Sequence, residues 1–305
     1  MSSLVVVLGP TATGKTNLAV KIASKYNGEI ISADSRQIYK DMNIGTGKDL
    51  CEYKLNNKTI PYHLIDILEP NNNYSVFQFK NDFFNIYNSL IIKNVIPVLC
   101  GGTGLYIESI LLNYQMSSVP PNYLLRKQLE SKTIKDLTKQ LQLINFKLYD
   151  ENYHITKRRL IRSIEIMQSK KMINDKNINC NIDSPLVFGL NMDRKQLLVN
   201  IQARLEKRLQ EGMIDEVQSL INKGIDLNRL KYFGLEYKFV GKYLYDEIKY
   251  DEMVEKLNYA INKFSKRQMT FFRRMEKRGI NIVWVAPDNF DLINKYMKKY
   301  LNHEL

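Results

Sequence analysis

Residues 4–16 read Leu-Val-Val-Val-Leu-Gly-Pro-Thr-Ala-Thr-Gly-Lys-Thr, and this stretch decides the fold. The apolar, mostly β-branched run Leu4–Leu8 predicts a buried strand of a parallel sheet. The pattern Gly-x-x-x-x-Gly-Lys-Thr at 9–16 is a P-loop motif, and it stands in the strand–loop–helix context that such a motif requires. The stretch therefore predicts a binding site for a polyphosphate or a diphosphate.

The residue types in this motif each suit the binding of an anion. Gly9 and Gly14 let the backbone curve, so that its N–H groups point at phosphate oxygens. Lys15 adds a positive charge, and the Thr16 hydroxyl is a candidate ligand for Mg²⁺. The predicted diphosphate-binding residues are Gly9, Pro10, Thr11, Ala12, Thr13, Gly14, Lys15 and Thr16, with Thr16 as the predicted metal ligand.

Two more strand ends are predicted at the edge of the sheet that carries the P-loop. Residues 29–34 indicate a short strand that delivers Asp34 to this edge. Residues 95–100 indicate a buried strand that runs into the turn Gly101–Thr103. Open α/β sheets bind ligands at the carboxyl ends of their strands, so we expect these three ends to form one site. Residues 63–67 are predicted to form a further strand.

The composition limits the class of protein. The chain has 305 residues, of which 44% are hydrophobic and 25% charged, and this fits one α/β domain with an insertion or two modest domains. No apolar run is long enough to cross a membrane, and the first strand begins too early for a signal peptide. The three cysteines show no paired spacing, so we expect a cytoplasmic protein without a disulfide framework or a zinc site. The net charge of +13 favours a polyanionic partner.

The pattern of the sequence changes near residue 116. Residues 117–122 contain two prolines, helical patterns follow, and no strand-like run returns before 186–190. We therefore expect an α/β fold, a P-loop NTPase-like parallel sheet flanked by helices, with a helical insertion domain. The expected domains are the first part of the core at 1–115, the helical insertion at 116–183, and the second, mainly helical part of the core at 184–305.

Two predicted helices carry their positive charge mainly on one face. In the helix at 156–168, the arginines at positions 158, 159 and 162 lie opposite the apolar arc of Leu160 and Ile164. In the helix near 251–278, lysines and arginines crowd the arc beside a buried stripe, and Glu276 is the only acid between positions 263 and 278. A solvated charged face is the ordinary explanation of such a helix, but the scarcity of acids favours a surface for nucleic-acid phosphates.

Together, these motifs resemble one family, the tRNA dimethylallyltransferases, also called tRNA isopentenyltransferases. The matching segments, which occur in order and span nearly the whole chain, are Gly-Pro-Thr-Ala-Thr-Gly-Lys-Thr (9–16), Asp-Ser-Arg-Gln-Ile-Tyr (34–39), Asn-Ile-Gly-Thr-Gly-Lys (43–48), His-Leu-Ile-Asp (63–66), Gly-Gly-Thr-Gly-Leu-Tyr (101–106), Arg-Arg-Leu-Ile-Arg-Ser-Ile-Glu (158–165) and Ser-Lys-Arg-Gln-Met-Thr-Phe-Phe-Arg (265–273). Many NTPases share a P-loop, whereas the segment at 34–39 together with the later ones is specific. The resemblance implies transfer of a dimethylallyl group from its diphosphate to the exocyclic amine of the adenosine 3′-adjacent to the anticodon.

The chemistry of this transfer asks for fixed positive groups around the departing diphosphate and for a base beside the amine. The loop amides, Lys15 and a Mg²⁺ ion held through Thr16 supply the positive groups. The resemblance adds Arg204 as a second diphosphate clamp. Asp34 is the carboxylate best placed to take the proton, and the resemblance implies that Thr103 hydrogen-bonds near the amine.

The resemblance also implies the sites and partners. The adenine, turned out of the anticodon loop, would be recognised by Gln37. The predicted catalytic residues are Asp34, Thr103, Lys15 and Arg204, and the predicted tRNA-binding residues are Asp34, Ser35, Arg36, Gln37, Thr103, Arg126, Arg158, Arg159, Arg162, Lys263 and Arg267. The implied partners are dimethylallyl diphosphate and the anticodon stem-loop of tRNA, the implied cofactor is Mg²⁺, and we expect a monomer with no membrane attachment.

Other interpretations of the same residues stay open at this point. A P-loop kinase of a small metabolite explains the loop, and Asp34 would then order magnesium, but the basic helices stay unexplained. A prenyltransferase that modifies free adenine nucleotides would use the same loop chemistry without tRNA. A P-loop protein that binds RNA without catalysing a reaction is the third alternative. For Arg204, the alternative is an ordinary arginine on the surface of a helix.

Two segments depart from the pattern of the family. His154-Ile155-Thr156-Lys157 stands where many relatives carry an Asp-Pro-type turn, and Gly234-Leu235-Glu236-Tyr237 replaces a common Gly-Tyr motif. Both segments would face the RNA, so the sequence leaves open the base contacts and the choice of tRNA. It also leaves open an affinity for ATP, because a nucleotide and a diphosphate ester present similar oxygens to the loop.

Overall fold

The computed structural model describes residues 3–144, 156–169, 182 and 184–302. The chain divides into two compact units. Unit 1 comprises Met1–Tyr114 and Cys180–Leu305, and unit 2 comprises Gln115–Asn179. The domain organisation expected from the sequence stays a prediction.

Unit 1 is organised around a parallel sheet. The strands in the described residues are β1 (Val5–Leu8), β2 (Gly28–Ser32), β3 (Lys54–Leu55), β4 (Lys58–Thr59), β5 (Tyr62–His63), β6 (Ile96–Gly101), β7 (Leu186–Leu190) and β8 (Ile282–Val285). Six of them pair in parallel in the order β5-β2-β6-β1-β7-β8, while β3 and β4 form an antiparallel hairpin. Because β1 has a neighbour on each side, the P-loop that follows it lies in the middle of one edge of the sheet.

In unit 1, helices connect these strands and cover the sheet, and the described part of unit 2 contains three more helices. In chain order they are α1 (Lys15–Lys25), α2 (Val76–Ile92) and α3 (Gly104–Leu111) in unit 1, α4 (Tyr123–Glu130), α5 (Ile134–Ile144) and α6 (Lys157–Gln168) in unit 2, and α7 (Arg194–Gln210), α8 (Met213–Asn222), α9 (Leu227–Phe233), α10 (Leu235–Leu244), α11 (Tyr250–Lys277) and α12 (Phe290–Leu301) in unit 1. Leu50–Tyr53 forms a short 3₁₀ helix. Within the described ranges, no helix combines the length and the apolar character needed to cross a membrane.

The position of β1 explains why the first strand is apolar throughout. Leu4–Leu8 is completely buried, as expected for a strand that lies between two others and is flanked by helices. Residue Leu4 also connects the two ends of the chain. Its N–H donates to the hydroxyl of Tyr300 at 3.0 Å, and that hydroxyl donates to the Leu4 carbonyl at 3.3 Å. The helix α12 is thus hydrogen-bonded to the residue that directly precedes β1, the strand that leads into the P-loop.

One predicted strand is shorter than the sequence pattern indicated. Of residues 63–67, only His63 belongs to a strand, as the last residue of β5. Leu64 and Asp66 adopt left-handed backbone conformations, with φ of 61° and 55°, which end the strand. The Asp66 carboxylate binds the buried ammonium of Lys48, so this polar residue fastens a neighbouring loop instead of extending the sheet.

The helix α11 packs on unit 1 through a stripe that recurs every three to four positions. Its buried members are Met253, Leu257, Ile261, Ser265, Gln268, Phe272 and Met275. At its C-terminal end, Arg274 and Arg278 lie 2.6 and 3.0 Å from the carboxylate oxygens of Glu108, a completely buried residue of α3. These ion pairs fix the end of α11 against the segment that follows β6.

Unit 2 has a small core of its own. Its buried residues are Leu129, Leu137, Leu141, Leu160, Ile161 and Ile164. Beside this core, the buried carboxylate of Glu165 accepts two hydrogen bonds from Arg126, at 2.9 and 2.8 Å, and one from Arg162. Burial alone would raise the pKa of Glu165, but the hydrogen bonds from the two arginines lower it below its ordinary value.

Candidate active site

A cavity of about 640 Å³ lies at the carboxyl ends of β1, β2 and β6. Its walls include the P-loop residues Thr11, Lys15 and Thr16, residues 34–37 after β2, and residues 100–105, which run from the end of β6 into the start of α3. Other parts of the wall come from residues 45–47, from Arg204 and Arg208 on α7, from residues 231–236 and from α11. The three strand ends that the sequence assigned to one edge therefore face the same space.

The P-loop holds its own lysine in place. Gly14 precedes α1 with a φ of 81°, a left-handed conformation that glycine adopts without strain. The Lys15 ammonium and the Thr13 hydroxyl both donate to the Pro10 carbonyl, each at 2.8 Å. Burial lowers the pKa of Lys15 to about 8. The lysine is therefore mostly charged at neutral pH, and its charge is sensitive to mildly alkaline conditions.

Arg204 reaches the P-loop from α7. Its guanidinium donates to the hydroxyl of Thr11, a residue 193 positions away in the sequence. Burial lowers the pKa of Arg204 to about 10, and the neighbouring charge of Arg208 acts in the same direction. Arg204 is still protonated at neutral pH, so it adds a second positive group to the P-loop side of the cavity.

Thr103, after β6, is hydrogen-bonded to the segment after β2 that carries Asp34. The Asp34 Oδ1 atom accepts the N–H of Arg36 at 2.8 Å. The Thr103 hydroxyl accepts the N–H of Ser35 at 3.0 Å, and the Thr103 N–H donates to the carbonyl of Ala33 at 3.1 Å. These bonds set the relative position of the carboxylate and the hydroxyl that the sequence analysis assigned to the acceptor.

Gln37 is oriented by a hydrogen bond on each side of its amide. Its Oε1 atom accepts from the hydroxyl of Ser32 at 3.1 Å, and its Nε2 atom donates to the carbonyl of Gly47 at 3.0 Å. An amide has two donor hydrogens and an oxygen with two lone pairs. Beyond these two bonds, the Gln37 amide therefore has one more donor hydrogen and one more acceptor lone pair with which to bind a ligand.

The loop that contains Gly47 is held by a carboxylate that the sequence analysis did not single out. Glu216 on α8 accepts the N–H groups of Asn43 and Ile44 on Oε2, both at 2.7 Å, and that of Gly45 on Oε1 at 3.0 Å. Because Gln37 binds the Gly47 carbonyl, this carboxylate supports the orientation of Gln37 from outside the cavity.

Replacing Glu216 with Gln is expected to lower the free energy of unfolding by about 1–3 kcal/mol, because an NH₂ group would then face backbone N–H donors that have lost their acceptor. Urea titration followed by circular dichroism measures the change. Glu206→Gln is the matched control, since Glu206 is exposed on α7 and accepts one bond from Gln202. Equal unfolding free energies for the two variants would contradict the assignment.

The two segments that depart from the family pattern are only partly described. His154 and Ile155 lie outside the described residues. In the other segment, Tyr237 is 1% exposed and donates to Glu216 at 2.7 Å, whereas Leu235 and Glu236 line the cavity. Tyr237 is therefore a buried support of the site rather than an RNA-facing side chain.

Three basic residues predicted to bind tRNA lie beside aromatic rings in unit 1. Lys263 and Arg267 are exposed on α11, and the Lys263 ammonium lies 4.9 Å from the ring centre of Tyr259. Arg36 lines the cavity and its guanidinium carbon lies 4.8 Å from the ring centre of Tyr232. Cations and aromatic rings in proximity suit the phosphates and bases of single-stranded RNA.

The four arginines predicted to bind tRNA from unit 2 differ in their surroundings. Arg126 and Arg162 bind Glu165, as described above, so they stabilise unit 2 itself. Arg158 and Arg159 are exposed in the first turn of α6. The assignment of all four to tRNA phosphates stays a prediction.

Magnesium is the metal that the P-loop implies, and the oxygen groups around Thr16 fit it. Burial, followed by the charge of Asp49, raises the pKa of Glu52, and a hydrogen bond from Thr16 opposes this shift. Mg²⁺ prefers such hydroxyl and carboxylate oxygens, and it usually keeps several waters and binds substrate phosphates as well. Among the described residues, no group of three or more His, Cys, Asp or Glu side chains could hold a metal ion, so substrate oxygens would complete the coordination.

Two buried polar residues of the cavity had no role in the sequence-based prediction. Gln268 on α11 is 7% exposed, and Arg208 on α7 is 4% exposed. Both occupy positions that helical periodicity assigns to the core, where a polar side chain needs partners. That mismatch between residue type and position is the signal by which they could have been found.

Comparison with known proteins places the chain in a family. It matches the family described as IPP transferase over residues 37–275 and the family described as Isopentenyl transferase over residues 2–62. Curated relatives include tRNA dimethylallyltransferase 1 of Syntrophus aciditrophicus, which is 43% identical over 300 residues and covers 98% of each chain. The tRNA dimethylallyltransferase 1 of Parabacteroides distasonis is 45% identical over 283 residues, with 92% of each chain covered.

Solved structures support the same conclusion. The tRNA isopentenylpyrophosphate transferase of Bacillus halodurans superposes with a TM-score of 0.70 at 29% identity, covering 99% of this chain and 96% of that one. A eukaryotic dimethylallyltransferase acting on tRNA superposes with a TM-score of 0.77 at 20% identity, covering 95% of this chain and 75% of that one, and it supports the fold alone. The predicted α/β fold with a parallel sheet is confirmed. The chain therefore belongs to the tRNA dimethylallyltransferase family, whose members are also called isopentenyl transferases.

Proposed function

We propose that this chain transfers the dimethylallyl group of dimethylallyl diphosphate to the exocyclic amine of the adenosine 3′-adjacent to the anticodon in tRNA, and that it does so in the cavity described above. The products are isopentenyladenosine and diphosphate. The observation that supports this reaction best is that Asp34, Lys15 and Arg204 line one cavity. Alkyl transfer needs a site for the leaving group and a base for the acceptor within the same space.

The P-loop side of the cavity would hold the leaving group. As the allylic C–O bond breaks, negative charge develops on the departing diphosphate and the carbon becomes partly cationic. Lys15, Arg204 and the loop amides would stabilise that charge without having to reorganise, because they are already fixed in place. A Mg²⁺ ion bound through Thr16 would supply further neutralisation of the diphosphate oxygens.

The opposite side of the cavity would hold the acceptor. The amine forms the new C–N bond as the C–O bond breaks, and it must lose a proton. Oδ1 of Asp34 accepts the N–H of Arg36, so we assign Oδ2 to the proton transfer. The Thr103 hydroxyl accepts the N–H of Ser35 at 3.0 Å and donates a long hydrogen bond to the Ser35 hydroxyl at 3.4 Å, which the substrate amine would replace.

Recognition of the adenine is assigned to Gln37. Its remaining donor and acceptor positions match an edge of adenine, which offers one acceptor and one donor side by side. The base must first be turned out of the anticodon loop to reach the cavity. Lys263 and Arg267 are assigned to the phosphates of the loop.

A single assay tests this function. The protein is incubated with dimethylallyl diphosphate and with unmodified tRNA or AMP, and separately with ATP in place of the prenyl donor. We expect prenylated adenosine with tRNA only. Transfer to AMP would identify a prenyltransferase of free nucleotides instead, and transfer of phosphate from ATP would identify a kinase.

The affinity for inorganic diphosphate is expected to fall as the pH rises above about 8, by up to about tenfold per pH unit. Burial lowers the pKa of Lys15 to about 8, so the ammonium is charged below that pH and neutral above it. Binding of an anion to the neutral form must therefore be accompanied by proton uptake. Isothermal titration calorimetry between pH 6.5 and 9.5 measures the trend.

Lys15→Met serves as the control for this pH dependence. Diphosphate has its own ionisation in the same range, and Arg204, with a pKa of about 10, begins to titrate at its upper end; the variant reports these contributions without that of Lys15. A steeper loss of affinity in the natural protein than in Lys15→Met supports the assignment, whereas identical profiles would exclude Lys15 as the titrating ligand.

We further propose that the enzyme works in the cytoplasm as a monomer with Mg²⁺. All groups assigned to the two substrates in the cavity come from a single chain. Thr16 with the adjacent Glu52 offers the oxygen ligands that Mg²⁺ prefers.

A further inference from the structure

Gln268 connects two strand ends of the active site through one side chain. It lies in the buried stripe of α11 and is 7% exposed. Its Oε1 atom accepts the N–H of Thr11 in the P-loop at 2.9 Å. Its Nε2 atom donates to the carbonyl of Gly102, in the turn after β6, at 3.0 Å. Both polar ends of this amide are therefore used inside the protein.

The two partners of Gln268 belong to opposite sides of the proposed reaction. Thr11 belongs to the loop that holds the diphosphate, and Gly102 directly precedes Thr103 on the acceptor side. The strands behind them are neighbours, because Leu8 at the end of β1 pairs with Gly101 at the end of β6. The Gln268 amide thus closes the gap between the two strands at the point where they enter the cavity.

The absence of a side chain at position 102 makes this bridge possible. A Cβ atom built on Gly102 would lie 2.5 Å from the Nε2 atom of Gln268, a separation too short for two unbonded atoms. The next nearest atoms, the Cδ of Gln268 at 3.7 Å and the Gly9 carbonyl oxygen at 3.8 Å, would be in ordinary contact. A side chain at position 102 would therefore displace the amide of Gln268 and leave the Gly9 carbonyl in ordinary contact.

We propose that Gln268 is a positioning residue that sets the distance between the diphosphate in the P-loop and the acceptor at Thr103. This role of Gln268 rests on the proposed function, because the two substrates must meet between these segments. Gln268 occupies the N–H of Thr11, so Thr11 would approach the diphosphate through its hydroxyl rather than through its amide. A displacement of about 1 Å between reacting groups can cost on the order of a hundredfold in rate, so even a small shift at this bridge matters.

Gln268→Met tests the proposal, because methionine keeps the volume of glutamine and removes both hydrogen bonds. We expect kcat/KM for dimethylallyl diphosphate to fall on the order of 10- to 100-fold. The KM for tRNA should stay within about twofold of the natural value, since no tRNA contact is assigned to Gln268. Gln218→Met is the matched control, as Gln218 makes one surface hydrogen bond to Asn222.

A purely structural role would give a different result. Loss of packing alone would lower the temperature of unfolding but leave kcat/KM for dimethylallyl diphosphate near the value of the Gln218→Met control. The affinity for inorganic diphosphate, measured by calorimetry, gives a second readout that does not need turnover. An unchanged affinity together with an unchanged kcat/KM in Gln268→Met would overturn the proposal.

A double-mutant cycle with Gly102→Ala makes the test independent of any single variant. If Gln268 sets the geometry, Gly102→Ala displaces its amide and lowers kcat/KM for dimethylallyl diphosphate on its own. In the Gln268→Ala background, Gly102→Ala should then have little further effect, because the Nε2 atom that the new Cβ would meet is no longer present. Effects that multiply in the double variant would overturn the proposal. Failure of the proposed function is recognised separately, because the natural protein would then not prenylate tRNA.

Discussion

Asp34→Asn is expected to lower kcat for prenyl transfer to tRNA by about 10²- to 10⁴-fold. The amide keeps an oxygen that can accept the N–H of Arg36, so the turn after β2 should keep its conformation. It cannot take up the proton that the amine must lose. Single-turnover assays with unmodified tRNA and dimethylallyl diphosphate measure the rate of the chemical step.

The control for this substitution is Asp41→Asn. Asp41 is exposed, forms an ion pair with Lys223 at 2.7 Å, and has a left-handed backbone conformation that asparagine tolerates well. This variant should react at the natural rate. Binding of tRNA to Asp34→Asn should also be largely kept. A reaction rate close to that of Asp41→Asn would exclude Asp34 as the base.

Arg204→Met is expected to lower kcat/KM for dimethylallyl diphosphate by about 10²- to 10³-fold. The guanidinium lies against the hydroxyl of Thr11 in a partly buried position, where a charge interacts more strongly with an anion than in open solvent. Its loss leaves Lys15 as the other cationic side chain assigned to the diphosphate. Steady-state kinetics with varied dimethylallyl diphosphate, at saturating tRNA, measure the effect.

Lys207→Met provides the comparison on the same helix. Lys207 is 72% exposed and lies 3.6 Å from Glu211, so its charge is screened by solvent. We expect its loss to change kcat/KM by less than about threefold. If Arg204→Met behaved like Lys207→Met, Arg204 would be an ordinary helix arginine, the alternative that the sequence left open.

The parts of the site that could be predicted from the sequence are those that depend on short, continuous segments of the chain. The run Leu4–Leu8 and the glycine-rich loop after it define a buried strand and an anion site without reference to the rest of the chain. Asp34 and Thr103 follow from the same reasoning, because the carboxyl ends of parallel strands meet at one edge. Short sequence patterns, together with the rule for parallel sheets, were therefore enough to predict that these residues lie at one edge of the sheet.

The parts that could not be predicted depend on partners far away in the chain. The bond between Gln268 and Thr11 joins residues 257 positions apart, and no local pattern in the sequence indicated that Gln268 would reach the P-loop. Likewise, the pattern of α6 gave Arg162 an outer face, but no pattern indicated that Glu165 would bind both Arg162 and Arg126. At Leu64, the sequence resembled a strand, and only the backbone conformation shows where that strand ends.

The bond between Leu4 and Tyr300 has a consequence for how the enzyme is made. The two residues lie 296 positions apart, so this hydrogen bond cannot form until residue 300 has left the ribosome. The N-terminal segment emerges first, and β1 can pair with β6 and β7 before that point, but the N–H of Leu4 still lacks its acceptor. A nascent or prematurely terminated chain would thus carry the phosphate-binding motif before α12 fastens the segment that leads into it.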